Sequence, residues 1–218
     1  MKIRFGLTAP LALATALTIA ACTGGVAIPA APGGTGGQAG GGHGNECAAY
    51  PTLNVAASAQ PSMPSDTSLL SEFPQQVAGQ PISNASAVPF LAFLCSFSGQ
   101  VALDQMRQSS SILGVDITNM SFGDFEATIN GNTIKVTALR TPNQDASRLI
   151  NNFGLFGAFA GISVAGSGLS DANVGGKNVK VSTSSDSTKS YLYAHGDTLF
   201  VIDSATDAEA AAILQALP

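Results

Sequence analysis

FGDFEATINGNTIKVTAL, residues 122–139, decides the fold. On its first arm Phe125, Ala127 and Ile129 recur at every second position; on its second arm Ile134, Val136 and Ala138 do the same. A period of two puts each set on one face of an extended strand. Between the arms stands Asn130-Gly131, the dipeptide that most readily takes the two positive φ angles of a tight hairpin turn. The stretch therefore predicts an antiparallel β-hairpin with one apolar face.

The flanks add helices. Downstream, Pro142 and Asp145 open a predicted helix carrying Leu149, Ile150 and Phe153. Upstream, apolar residues at 88, 90, 91, 93, 94 and 97 fit a mostly buried helix over 86–97. Val101, Leu103 and Met106 continue helical spacing toward Gly114, and Pro81-Ile82 starts a short extended piece. The C-terminal half repeats this grammar. Val179 and Val181 mark one strand and Tyr191 and Tyr193 a second; His195-Gly196-Asp197 turns the chain into a third over 199–202. Thr206 or Asp207 caps a last helix with Ala210, Ile213, Leu214 and Leu217 on its apolar face. Asn130-Gly131-Asn132-Thr133-Ile134 lies over His195-Gly196-Asp197-Thr198-Leu199. With one gap, Ala146, Leu149, Ile150 and Phe153 lie over Ala210, Ile213, Leu214 and Leu217. Val77-Ala78-Gly79-Gln80-Pro81-Ile82 also matches Val174-Gly175-Gly176-Lys177-Asn178-Val179. Either these matches record a degenerate internal duplication, or hairpin turns and amphipathic helices share vocabulary by chance. In both cases the expected fold class is α+β: an antiparallel, hairpin-built sheet with helices packed on one face.

The chain has 218 residues, of which only 11% are charged, against about 25% in an average soluble protein. Nine basic against 14 acidic residues leave no basic footprint for nucleic acid. Two histidines and three cysteines are too few for a zinc site, and no cofactor motif occurs. His43, in a glycine-rich stretch, is the weakest of metal-ligand candidates. A long uncharged apolar run stands at the N-terminus alone, which excludes a multi-span membrane protein.

That N-terminus reads as an address. Lys2 and Arg4 precede an uncharged segment, 5–21, whose apolar part ends in Ile19-Ala20-Ala21-Cys22. This ending resembles the lipobox of bacterial lipoproteins, with Ile19 in the position usually held by leucine. The resemblance covers about the first tenth of the chain. It implies cleavage before Cys22, a diacylglyceryl thioether on the cysteine and acylation (palmitate or a similar chain) or retention of its amine. The alternative is an ordinary signal peptide cut after Ala21. Thr23 departs from the usual inner-membrane retention signal, so either bacterial membrane is open. Two acyl chains satisfy the requirement for stable anchoring. Removing Lys2 and Arg4 leaves seven basic residues against 14 acidic ones, a formal charge of −7. Such a domain does not seek anionic headgroups, so lipid alone must hold it at the bilayer.

The expected organisation is a signal peptide over 1–21, a lipidated cysteine with a glycine-rich tether over 22–46, and one α+β domain outside the cytoplasm over 47–218. The tether spans about 25–30 Å on average. With Cys22 lipidated, Cys47 and Cys95 remain. Export to an oxidising space favours a disulfide between them, against the alternative of two separate buried thiols.

Candidate chemistry is sparse. Gly161-Ile162-Ser163-Val164-Ala165 is a damaged nucleophile elbow, and Gly166-Ser167-Gly168 is only glycine-rich. His195 with Asp197 and Asp203 offers an acid–base group, although His-Gly-Asp-Thr is also good turn composition. Asp124 and Glu126 share a strand face and read as solvated. The segment 153–162 has no polar side chain, so Phe153, Phe156 and Phe159 are the candidate wall of an apolar ligand site, against the plainer reading of a buried helix tail. The function expected is therefore a membrane-anchored, non-enzymatic binding or interaction module. Its partners would be the bilayer through Cys22 and an apolar small molecule or an envelope protein. The rivals are an exported hydrolase using Ser163 or Ser167 with His195, and a purely structural spacer.

Overall fold

The structure is a computed structural model that describes residues 46–50, 64–153, 168–184, 187–203 and 205–218. The signal, Cys22, nearly all of the tether, His43, Phe156, Phe159, Ser163 and Ser167 lie outside the described residues. In chain order the elements are α1 (Thr67–Leu70), β1 (Gln76–Val77), β2 (Gln80–Pro81), β3 (Ser83–Pro89), α2 (Phe90–Leu113), β4 (Ser121–Ile129), β5 (Asn132–Arg140), α3 (Ser147–Asn151), β6 (Leu169–Val174), β7 (Lys177–Thr183), β8 (Lys189–His195), β9 (Thr198–Asp203) and α4 (Asp207–Ala216). A short 3₁₀ turn, Glu46–Ala49, precedes them.

The fold is α+β. β1 and β2 form a small hairpin, and seven strands form one antiparallel sheet in the order β3-β4-β5-β9-β8-β7-β6. The hairpin read from residues 122–139 is present: Ile129 pairs with Asn132 across a turn in which Asn130 and Gly131 take φ of 51° and 86°. The β8–β9 hairpin turns instead on Gly196-Asp197, since His195 pairs with Thr198 and Gly196 has φ 56°. The two hairpins meet through their return strands, β5 and β9.

The helices do not share one side of the sheet, contrary to expectation. Phe125, Ala127, Ile134, Val136, Tyr191, Tyr193, Phe200 and Ile202 point to the face where α4 inserts Ala210, Ile213, Leu214 and Leu217. Phe122, Leu139, Leu192, Leu199 and Val201 point to the other face, under Leu94, Leu103 and Met106 of α2 and Leu149 and Ile150 of α3. Central strands in this sheet are apolar on both sides: every residue of β9 from Thr198 to Ile202 is buried. A strand covered on both faces loses its alternation and demands two helical layers.

The stretch 86–89 is strand, not the start of a helix. Ala87 and Val88 pair with Gly123 and Phe122, and the helix begins only at Phe90. The helical spacing of apolar residues reads through into a strand whose side chains alternate between the two cores, Ala87 to one and Val88 to the other. Backbone pairing with β4 wins because a sheet edge left bare there would strand buried polar groups. α2 is kinked at Gly99, where φ is 70°, and ends at Gly114, which caps it in the left-handed conformation with φ 66°. α4 starts with a capping box: the Thr206 hydroxyl accepts from the Glu209 amide while the Glu209 carboxylate accepts from the Thr206 amide.

Cys47 and Cys95 form a disulfide, with Cα atoms 5.1 Å apart. Cys95 is buried in α2. The bond fastens the 3₁₀ turn to α2, where Cys47 N–H also donates to Gln100 Oε1 at 3.1 Å and Glu46 pairs with Arg107. Closing 48 residues of chain is worth about 4 kcal/mol by the loop-entropy argument.

Candidate functional site

Phe153 is buried in the core beneath α2 and α3, alongside Leu149 and Ile150. It packs as a core residue, and the rest of the 153–162 wall lies outside the described residues. The described surface carries few large apolar side chains; Val101 and Leu169 are the exposed ones.

His195, Asp197 and Asp203 are not brought together. His195 is exposed at one end of the β8–β9 hairpin, with Nδ1 3.4 Å from the Tyr193 hydroxyl. Asp203 sits at the other end, opposite Ser190, and accepts from its hydroxyl at 2.6 Å. Five residue steps along the strand separate the two ends, about 17 Å. Asp197 is occupied elsewhere: both of its carboxylate oxygens lie 3.2 Å from Arg140 Nε, which also reaches Glu72 at 3.2 Å. Thr141 and Ala146 donate backbone N–H groups to Asp197 and Gly196, so this turn is a docking point for the chain that leads into α3. Arg140 stands 57 residues from Asp197 in sequence, a spacing that no local pattern announces.

Asp124 and Glu126 have partners. Asp124 pairs with Lys135 across β4–β5 at 2.7 Å and accepts from Ser86; Glu126 accepts from Asn84 at 2.7 Å. These are cross-strand contacts on an exposed face.

A cleft of about 450 Å³ opens where α4 begins, lined by Ser187, Thr188, Lys189, Ala205, Thr206 and Asp207. Of these lining residues, Asp207 accepts at Oδ1 from the Tyr191 phenol, and Lys189 Nζ reaches the same oxygen at 2.8 Å. Lys189 foremost, then Tyr191, holds the Asp207 carboxyl below the usual range. Burial foremost, then the bond to Asp207, pushes the Tyr191 hydroxyl up, so it stays a neutral donor. Asp207 thus puts its own negative charge on the positive end of α4, the place where a free helix would draw an anion. Only the Thr206-x-x-Glu209 signature of this site was readable locally.

Among the described residues no group of three or more His, Cys, Asp or Glu could hold a metal ion, and no helix is long and apolar enough to cross a membrane. Comparison with protein-family models, with curated proteins and with solved structures finds no match to this chain.

Proposed function

We propose that this chain is a bacterial lipoprotein, anchored through Cys22 and exposed outside the cytoplasm, whose folded part is a non-enzymatic binding or interaction module. The observation that carries the reading is the Cys47–Cys95 disulfide. Such bonds persist in oxidising compartments, which is where a lipobox would deliver the domain. The bond also lies where the tether meets the fold, so a pull on the tether passes through sulfur into α2 and bypasses the 48–94 loop.

The binding reading draws support from the packing. Helices pack on both faces of the central strands, and the sequence's one histidine-centred group is dispersed along a hairpin. The sharper form of the reading is an apolar ligand held by the 153–162 segment.

Growing cells that express the full chain with labelled palmitate tests the anchor. The reading expects label in the protein and its recovery in the membrane fraction. It expects Cys22→Ala to lose both while keeping the fold. Native mass spectrometry of the detergent-purified protein tests the ligand: a lipid-sized adduct lost in Phe156→Ser and Phe159→Ser supports it, and an adduct-free mass removes it.

A further inference from the structure

The two ends of the seven-stranded sheet are built differently. β3 is guarded: an extra residue bulges it between Ser83 and Ser86, Asn84 there takes φ 52°, and Pro81 and Pro89 bracket it. Bulges and prolines of this kind stop a sheet edge from recruiting another strand. β6 carries neither. It runs in unbroken register with β7 from Leu169 to Val174, contains no proline, and exposes Leu169, Ser170, Asp171 and Asn173.

Its hydrogen-bonding side is set by the turn that follows. Gly175 and Gly176 take φ of 60° and 83° in a two-residue turn, so Val174 and Lys177 exchange hydrogen bonds. Alternation then points the backbone groups of Ala172 and Ser170 toward β7 and those of Leu169, Asp171 and Asn173 away from the sheet. Side chains alternate as well: Ala172 and Val174 pack toward the core under α4, and Asp171 and Asn173 face the opposite side.

We propose that this edge receives the same edge of a second copy, antiparallel and centred on Ala172. A two-fold axis perpendicular to the sheet keeps each face continuous only if Ser170, Ala172 and Val174 pair among themselves. Centring on Asp171 would oppose two carboxylates directly, which is destabilising. Centring on Ala172 sets Asp171 of each copy against Asn173 of the other, at the positions whose N–H and C=O groups point outward. Each carboxylate then accepts from an amide across the junction, and Ser170 meets Val174. The strand is self-complementary in hydrogen bonding and face, and two seven-stranded sheets become one. The pairing stands independently of the lipid anchor.

The test is a cysteine trap in the full chain carrying Cys22→Ser, in detergent, so that the introduced thiol is the only one beside the Cys47–Cys95 pair. Ala172 would face its counterpart at a non-hydrogen-bonded site, with Cα atoms about 4.5 Å apart, inside the range of about 4.4–6.8 Å that a disulfide spans. Ala172→Cys is expected to give a reducible dimer linked 172 to 172. Adding Asp171→Pro, which removes an outward N–H together with the carboxylate that meets Asn173 across the junction and Lys180 on β7, but no backbone hydrogen bond to β7, is expected to cut the dimer several-fold. Adding Asn173→Asp, which opposes carboxylates, is expected to do the same. Should Ala172→Cys misfold, mixing Ser170→Cys with Val174→Cys chains tests the same register. Cross-linking no greater than that of Gln108→Cys on the exposed side of α2, or dimers indifferent to Asp171→Pro, would overturn the proposal, including the case in which another protein's strand takes the edge.

Discussion

Tyr191 on β8 and Asp207 at the first position of α4 are joined by a hydrogen bond that ties the centre of the sheet to the last helix. The phenol is fully buried, whereas Lys189, which shares the same oxygen, is partly exposed. Tyr191→Phe is therefore expected to lower stability by about 1–2 kcal/mol. Lys189→Met removes only a surface ion pair and is expected to change stability little. Urea unfolding of the two variants side by side checks the order.

Acid is expected to loosen the fold through its short-range carboxylates. Asp66 caps α1. Burial works against its charge, but hydrogen bonds from Ser121, Ser68 and two backbone amides outweigh burial and hold its carboxyl below the ordinary 3.8. Asp207 is depressed as well, by Lys189 and then Tyr191. A carboxyl whose pKa is lower folded than unfolded stabilises the fold above the unfolded pKa and loses that contribution as pH falls through the folded one. The melting temperature should stay flat down to about pH 5 and drop below about pH 4. Asp66→Asn should be less stable at neutral pH and show a shallower acid decline, read by thermal melts across pH.

Two glycines are held by close approach. A Cβ on Gly175 would lie 2.7 Å from the Ala211 carbonyl oxygen of α4, and φ there is already +60°. A Cβ on Gly131, φ +86°, would meet nothing within 4 Å. Gly131→Ala is expected to cost about 1 kcal/mol, for the backbone conformation alone. Gly175→Ala adds overpacking of about 1–3 kcal/mol. Gly123→Ala belongs with the second class, since its Cβ would strike Ser86 O at 2.7 Å and Phe73 Cζ at 2.9 Å, beneath the Phe73–Phe125 ring pair. Equilibrium unfolding of the three variants separates strain from collision.

Replacing both Cys47 and Cys95 by serine is expected to destabilise the domain by about 2–4 kcal/mol. The change should be visible as a lower midpoint in guanidinium with α4 and the sheet otherwise intact.

Much of the sheet was legible because its turns are chemically explicit. Asn130-Gly131 names its own conformation, and Val179, Val181, Tyr191 and Tyr193 keep a period of two. The paired cysteines were legible by counting once Cys22 had been set aside. Three features were not. β3 carries a helix-like apolar spacing that only its pairing with β4 overrides. β6, Leu-Ser-Asp-Ala-Asn-Val, is an exposed edge with little apolar content, so periodicity has nothing to register. The second helical layer follows from β8 and β9 being apolar on both sides, and a strand without alternation does not say which helix covers which face. Of the site residues, Phe153 is a core residue by its position, and the Arg140–Asp197 clamp is a long-range pair with no sequence signature.

The most direct test of the account is the intact mass of the full chain recovered from the membranes of a bacterial host. A lipid-anchored module outside the cytoplasm predicts a protein that begins at Cys22, carries the mass of acyl chains, and lacks the two hydrogens lost in joining Cys47 to Cys95. A protein that still begins at Met1, bears no lipid and has both thiols free would contradict it.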